Sequence, residues 1–365
     1  MTPIEQRPVV RPSIEESGGR PAESQAARHA VSNADAQPLS SAPLRELPPV
    51  MSPYATELER LETRLQDGSG VALPALQELL EWVFSSGGKR IRPALVFATA
   101  SLGDANSEAV TNLAAGIETL HAATLVHDDL IDDALTRRGL PTLNQRWSAS
   151  ATVLAGDWLF ARAARFVAET EHVGVVKVFS RTLGALTDGE LRQLLGRSGV
   201  PTMDEYQNRI YSKTASLFEA ATESSGHLLA ASDGEIAALA EFGRELGNAF
   251  QIIDDILDFT GDEALLGKPV GNDLRSGTVT LPAMLHLTAN PGAAPWLEGS
   301  ETDHTPYQVD ELVQAVRGDA AALSASRDAA RRSAERAVQA LDALAGSPAR
   351  DSLAGFAEYA LDREY

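Results

Sequence analysis

Residues 107–133 read SEAVTNLAAGIETLHAATLVHDDLIDD, and residues 234–259 read GEIAALAEFGRELGNAFQIIDDILDF. Both repeat apolar residues at helical spacing, without the β-branched runs between turn signals that mark strands, so each predicts a long helix. Moving outward, ATELERLETRLQ (55–66) and ALQELLEWVF (75–84) carry the same pattern. Turn signals separate the helical segments at Gly87-Gly88, Gly139-Leu140-Pro141, Gly199-Val200-Pro201, Gly267-Lys268-Pro269 and Asn290-Pro291-Gly292. The expected fold class is all-α, with about ten helices or more. Residues 308–346 are expected to add a surface-wrapping helix pair with a solvated arginine face. No repeat of fixed period runs through the chain.

The two deciding stretches end alike. Asp128-Asp129-Leu130-Ile131-Asp132 and Asp254-Asp255-Ile256-Leu257-Asp258 each place carboxylates four residues apart, so Asp128 shares a helix face with Asp132, and Asp254 with Asp258. Apolar turns precede both, Thr124-Leu125-Val126 and Phe250-Gln251-Ile252-Ile253, and draw each motif toward an interior where clustered carboxylates need a counter-charge. A hard divalent cation supplies it. Oxygen donors without His or Cys favour Mg²⁺ or Mn²⁺ over zinc, and Mg²⁺ in such sites also binds substrate phosphate. One such motif alone would read equally well as a solvated acidic face; two in apolar helical context argue for a site.

Composition narrows the field further. Lys+Arg 31 against Asp+Glu 51 gives a net charge of -20, which argues against a broad surface for nucleic acid. The absence of cysteine removes disulfides, thiolate zinc sites and a cysteine nucleophile. No apolar stretch reaches membrane-spanning length and no leader pattern opens the chain, so it reads as soluble and cytoplasmic. Residues 1–50 hold eight of the 19 prolines and almost no large apolar side chains. That segment is expected to be a disordered extension, with residues 51–365 forming the folded domain.

Against this acidic background the cations stand out. Gly87-Gly88-Lys89-Arg90-Ile91-Arg92-Pro93 gathers three of them before a helix start, which suits a phosphate grip. Arg137-Arg138-Gly139 follows the first acidic motif, and Lys213-Thr214 and Lys268-Pro269 come later. Arginine gives two-point contact to phosphate oxygens and lysine a point charge, a mixture that suits two separate diphosphates.

The set GGKRIRP, HAATLVHDDLIDDALTRRGLPT, GDWLFA, KTASLF and FQIIDDILDFTGDEALLGKPVGNDLRSGTVTLP resembles the trans-isoprenyl diphosphate synthases, or polyprenyl synthetases, over about residues 55–365. The resemblance implies an all-α terpenoid-synthase fold with a deep central cavity, usually in homodimers. It also implies Mg²⁺-dependent head-to-tail (1′-4) condensation of isopentenyl diphosphate with an allylic diphosphate. By the same resemblance Asp128, Asp132 and Asp254 are metal ligands supported by Asp129, Asp255 and Asp258. Arg137, Lys213 with Thr214, and Lys268 hold the allylic diphosphate, while Lys89, Arg92, His121 and Arg138 hold isopentenyl diphosphate. Gln251 lines the reaction centre, and Asp128, Asp132, Asp254, Lys213 and Gln251 form the catalytic set. Physically, such a site must stabilise a diphosphate leaving group and shelter a carbocation from water. Released diphosphate is the family's usual acceptor for the last proton.

The chain departs from the family where Thr278 follows Gly277 in place of a common lysine, and its LDREY end only loosely matches a basic tail, leaving Arg363 as a weaker substrate contact. Product length is read from the residues one turn before Asp128. Ala123 and Thr124 are small where the family's short-product enzymes carry an aromatic, and Leu120, with Gly116 and Ile117, comes next. A long-chain product of about thirty carbons or more is expected, each open turn admitting roughly one more isoprene unit. Such a product would bring transient membrane contact at release. Geranylgeranyl diphosphate is the alternative if Leu120 closes the channel. A terpene cyclase or head-to-head coupling enzyme would not need GGKRIRP, and a non-catalytic partner subunit would be expected to lose acidic residues that this chain keeps.

Overall fold

The computed structural model describes residues 47–69, 71, 73–85, 88–137, 140–196, 199–261, 269–298 and 305–363. The expected extension falls almost wholly on residues 1–46, which lie outside that set. From Leu47 onward the chain is engaged: Leu47 and Val50 pack on the core and Met51 is fully buried.

Among the described residues the fold is helical apart from one short antiparallel pair. Helices α1 (Ala55–Gln66), α2 (Pro74–Ser85) and α3 (Ile91–Ala100) lead into α4 (Ser107–Ile131). Then come a two-residue hairpin, β1 (Thr136–Arg137) with β2 (Leu140–Pro141), and α5 (Leu143–Arg146), α6 (Ala149–Ala168) and α7 (Val173–Leu195). Helix α8 (Met203–Ile210) continues through a π-helical segment, Tyr211–Ala215, into α9 (Ser216–Leu228). Helix α10 (Asp233–Thr260) is followed by α11 (Asn272–Arg275), α12 (Leu281–Ala289), α13 (Pro306–Gly318), α14 (Ala320–Ala340) and α15 (Pro348–Leu361).

The two long helices anticipated from the sequence form because both their starts are specified. Asn106 caps α4, its side chain accepting from the amides of Glu108 and Ala109. A reciprocal capping box between Ser232 and Glu235 opens α10. Helix α4 packs against α3, α6 and α9, and α10 against α9, α14 and α15, so α9 lies between them. Close crossing depends on two glycines. A Cβ on Gly247 would sit 2.5 Å from the Cα of Ala215, and one on Gly116 would sit 2.9 Å from Val167 Cγ2. Helix α14 carries the expected arginine face, with Arg327, Arg331 and Arg332 exposed while Ala330, Ala334 and Ala337 face the core.

Candidate active site

Both acidic motifs occupy the C-terminal ends of long helices. Asp128 and Asp129 lie in the last turn of α4, and Asp132 is its C-cap. Asp254, Asp255 and Asp258 lie in the last two turns of α10. Neither helix has a basic residue in its last turn. Each therefore places carboxylates at the negative end of its own dipole, where cations are favoured and anions are not. Burial, then Glu190 on α7, pushes the Asp128 carboxyl up to about 7 against the pull of Lys213 and Arg137. Carboxylate oxygens clustered in this way fit a hard divalent cation such as Mg²⁺. Among the described residues no three metal-binding side chains already converge into a cage.

The six carboxylates divide by exposure. Asp132 and Asp254 are exposed and Asp128 half-buried, whereas Asp129, Asp255 and Asp258 are buried and bonded within the protein. Asp129 accepts from Arg137 Nε at 2.7 Å. Asp258 accepts from the backbone amide of Asp273 at 3.1 Å and so holds the start of α11. Asp255 accepts from Gln251 Nε2 at 2.8 Å and from the hydroxyl of Tyr206 at 2.7 Å. Burial, then Asp273, pushes Asp255 up to about 7 even against those two donors. Thr214 donates to Gln251 Oε1 at 2.5 Å, which ties the π segment to α10. Its neighbour Lys213 is exposed and acts electrostatically on Asp128, so the elements bearing the two acidic motifs meet across this segment.

The basic residues gather nearby, with one correction. Lys89 is exposed and Arg92 half-buried, the Arg92 guanidinium 5.0 Å from the Phe218 ring. Phe218 packs against Phe250 with the rings tilted by 43° and their centroids 5.2 Å apart, and Arg363 lies 3.5 Å from the Phe250 ring. Arg363 also donates to the Phe250 carbonyl and comes within 3.8 Å of Asp254, so the C-terminal end reaches the second acidic motif. Arg90, counted in the sequence as part of the phosphate grip, points instead into the core. It has a left-handed backbone (φ 49°) and pairs with Glu62 at 2.5 Å and Glu118 at 2.7 Å. Burial works against its charge, but those carboxylates outweigh it and hold the guanidinium firmly protonated. Arg138 and Lys268 lie outside the described residues. His121 is half-buried and shares a cavity of about 70 Å³ with Asp129 and Arg137, walled by Trp82, Ala122 and Leu125. His127 is structural: it bonds the Val153 carbonyl at 3.1 Å and packs over Gly156 on α6.

A family model described as polyprenyl synthetase matches residues 73–316. Octaprenyl diphosphate synthase of Escherichia coli (strain K12) is 36% identical over 323 residues, which cover 84% of this chain and 99% of that protein. The chain belongs to the polyprenyl synthetase family. Among solved structures, heptaprenyl diphosphate synthase from Staphylococcus aureus matches this polyprenyl synthetase with a TM-score of 0.80 at 30% identity, covering 85% of this chain and 98% of that one. A polyprenyl synthase from Caulobacter crescentus CB15, complexed with calcium and isoprenyl diphosphate, gives 0.78 at 32% identity, with 87% and 97% covered. The expected all-α terpenoid-synthase fold and prenyltransferase class therefore stand. Among the described residues no helix is long and apolar enough to cross a membrane.

In this polyprenyl synthetase the residues expected to limit product length do not share one environment. Leu120 and Ala123 are fully buried, and Thr124 is half-buried, its hydroxyl donating to the His121 carbonyl. Gly116, expected on the channel side, is turned toward Val167 and the Ala163 carbonyl of α6. Ala123 follows it by two turns and so shares that side of α4, whereas Thr124, one turn before Asp128, shares the side of the acidic motif. The Tyr206 and Arg363 contacts were beyond the motif reading of the catalytic set. Tyr206 stands seven residues before Lys213 with no pattern of its own, and only packing reveals its partner.

Proposed function

We propose that this chain catalyses Mg²⁺-dependent head-to-tail (1′-4) condensation of isopentenyl diphosphate with an allylic diphosphate, making a long-chain trans-polyprenyl diphosphate. The observation that carries the reading is the tie between two acidic helix ends and one cationic segment: Lys213 acts on Asp128 while Thr214 bonds Gln251, three residues before Asp254. The octaprenyl name of one relative and the heptaprenyl name of one structural neighbour support long product over geranylgeranyl diphosphate.

In this reading Asp128, Asp132 and Asp254 hold Mg²⁺, with Mn²⁺ able to replace it, and Asp129, Asp255 and Asp258 orient their neighbours. Bound metal would neutralise the charge that develops on the departing diphosphate. Lys213 and Arg137 bind the allylic diphosphate and Lys89, Arg92 and His121 the isopentenyl diphosphate. The chain's part is to orient the two substrates and to exclude water from the allylic cation, with Gln251 at the reaction centre. Phe218 and Phe250 supply apolar surface beside Arg92.

The same reading makes the chain a homodimer. Val153 and Leu154 on α6, and Val173, Val176, Leu191 and Leu194 on α7, are exposed apolar side chains on adjacent helices, a surface that a second copy would cover. The decisive test of the metal assignment is turnover with Mg²⁺ against turnover in EDTA, together with Asp128→Ala and Asp254→Ala. Activity is expected to vanish in EDTA and to fall at least about a hundredfold in each variant. Near-normal turnover in Asp254→Ala would remove the second acidic motif from the mechanism.

A further inference from the structure

We infer that Tyr206 is a positioning residue for the condensation, acting through Asp255 to fix the amide of Gln251. The inference rests on the function proposed above and deepens it at one site.

Three helical stretches meet in a single run of hydrogen bonds. The Tyr206 hydroxyl donates to Asp255 Oδ2 at 2.7 Å, Gln251 Nε2 donates to Asp255 Oδ1 at 2.8 Å, and the Thr214 hydroxyl donates to Gln251 Oε1 at 2.5 Å. Tyr206 is 1% exposed and Asp255 2%. An ionised carboxylate only accepts, and here each of its oxygens already takes one donor from the protein. The Gln251 amide is thereby oriented. Its NH₂ must face Asp255, which leaves its carbonyl oxygen facing Thr214.

The π segment makes this alignment available. An α-helix would leave residues eight apart on different sides, but the wider turn over Tyr211–Ala215 sets the chain back by roughly a fifth of a turn. Thr214 thus returns to the side of Tyr206, and both hydroxyls meet α10 at positions one turn apart. Lys213, next in line, is left exposed toward Asp128. Asp255, grouped in the sequence with the metal ligands, has the surroundings of a hydrogen-bond bridge. Tyr206 keeps that bridge from turning toward the cleft, and Gln251 keeps its orientation at the reaction centre.

The test is steady-state kinetics of Tyr206→Phe, Asp255→Asn, Gln251→Ala and the Tyr206→Phe/Gln251→Ala double variant, with melting temperatures measured alongside. In Asp255→Asn the new amide has a single acceptor oxygen and could not take both donors as the two carboxylate oxygens do. Tyr206→Phe and Asp255→Asn are expected to lower kcat at least about tenfold while leaving both KM values, and the Mg²⁺ concentration for half-maximal rate, within about twofold. The double variant is expected to be within about twofold of Gln251→Ala alone, because the hydroxyl acts through that amide. Wild-type kcat in Tyr206→Phe, additive slowing in the double variant, or a tenfold rise in the Mg²⁺ requirement of Asp255→Asn would each overturn the assignment. If Tyr206→Phe fails to fold, Asp255→Asn alone decides it, and loss of fold in both would leave Tyr206 a purely structural role. A wild-type chain that incorporates no isopentenyl diphosphate overturns the proposed function itself; a wild-type chain that is active beside an equally active Tyr206→Phe overturns only the relay.

Discussion

Asp128 and Asp255 are both held near pH 7 by burial, far above the ordinary carboxylate value of 3.8. An acid with a raised pKa in the folded state binds its proton more tightly there than when unfolded. The favourable contribution is therefore complete below about pH 4 and is lost as the pH rises to about 7. A cation at the acidic motifs reverses the preference, because it binds the deprotonated carboxylates. Mg²⁺ is accordingly expected to raise the melting temperature by at least about 3 °C more at about pH 8 than at about pH 5.5, and Asp128→Asn to remove much of that difference. Thermal melts with and without Mg²⁺ at the two pH values measure it; an equal Mg²⁺ effect at both would contradict the metal assignment. At this scale the motif carboxylates were legible because helical spacing and residue type suffice to find them. The roles of Arg90 and Arg92 were not, since both sit in one basic run. Only the left-handed backbone at Arg90, turning it toward Glu62 and Glu118, separates a core ion pair from a grip on substrate.

Helix ends and crossings carry the next level. The bounds of α1, α2, α4 and α10 followed from apolar spacing and turn residues, but the π segment did not, because YSKTA has nothing to distinguish it from α-helix until α10 packs beside it. The crossing itself is testable. A Cβ at position 247 would meet Ala215 Cα at 2.5 Å and Cβ at 2.8 Å, one turn from the Thr214–Gln251 bond. Gly247→Ala should lower the melting temperature by at least about 4 °C, on the scale of about 1–3 kcal/mol for overpacking in a large domain, and should slow turnover as well. Gly234→Ala, in the first turn of α10 where an added methyl meets open space, should leave both unchanged or slightly raise stability. The α4 side chains before Asp128 separate on the same grounds. Ala123 shares the α6 side of the helix with Gly116, and Thr124 shares the side of Asp128. Thr124→Phe is expected to shorten the product to about fifteen to twenty carbons while keeping the first condensation; an unchanged product distribution would move the channel floor elsewhere.

For the molecule as a whole, the net charge of -20 is the governing fact. Under the proposed function two diphosphates bind a strongly acidic protein, so attraction would have to be local: cations on α3, the β1–β2 hairpin and the π segment, and metal at the two carboxylate-tipped helices. Fold class was readable in the sequence because it depends on those two helices, and the candidate site was legible only as the carboxylates that end them. The aromatic pair Phe218–Phe250, with Arg92 and Arg363 on either side, was not, since its four residues come from α3, α9, α10 and the end of the chain. Prenyl transfer is decided by incubating the full chain with labelled isopentenyl diphosphate, farnesyl diphosphate and Mg²⁺ and separating the prenyl products by chromatography. Products of about thirty carbons or more are expected, absent in EDTA, if each open helical turn admits roughly one isoprene unit. No incorporation of label with Mg²⁺ present, or the same products in EDTA, would contradict it.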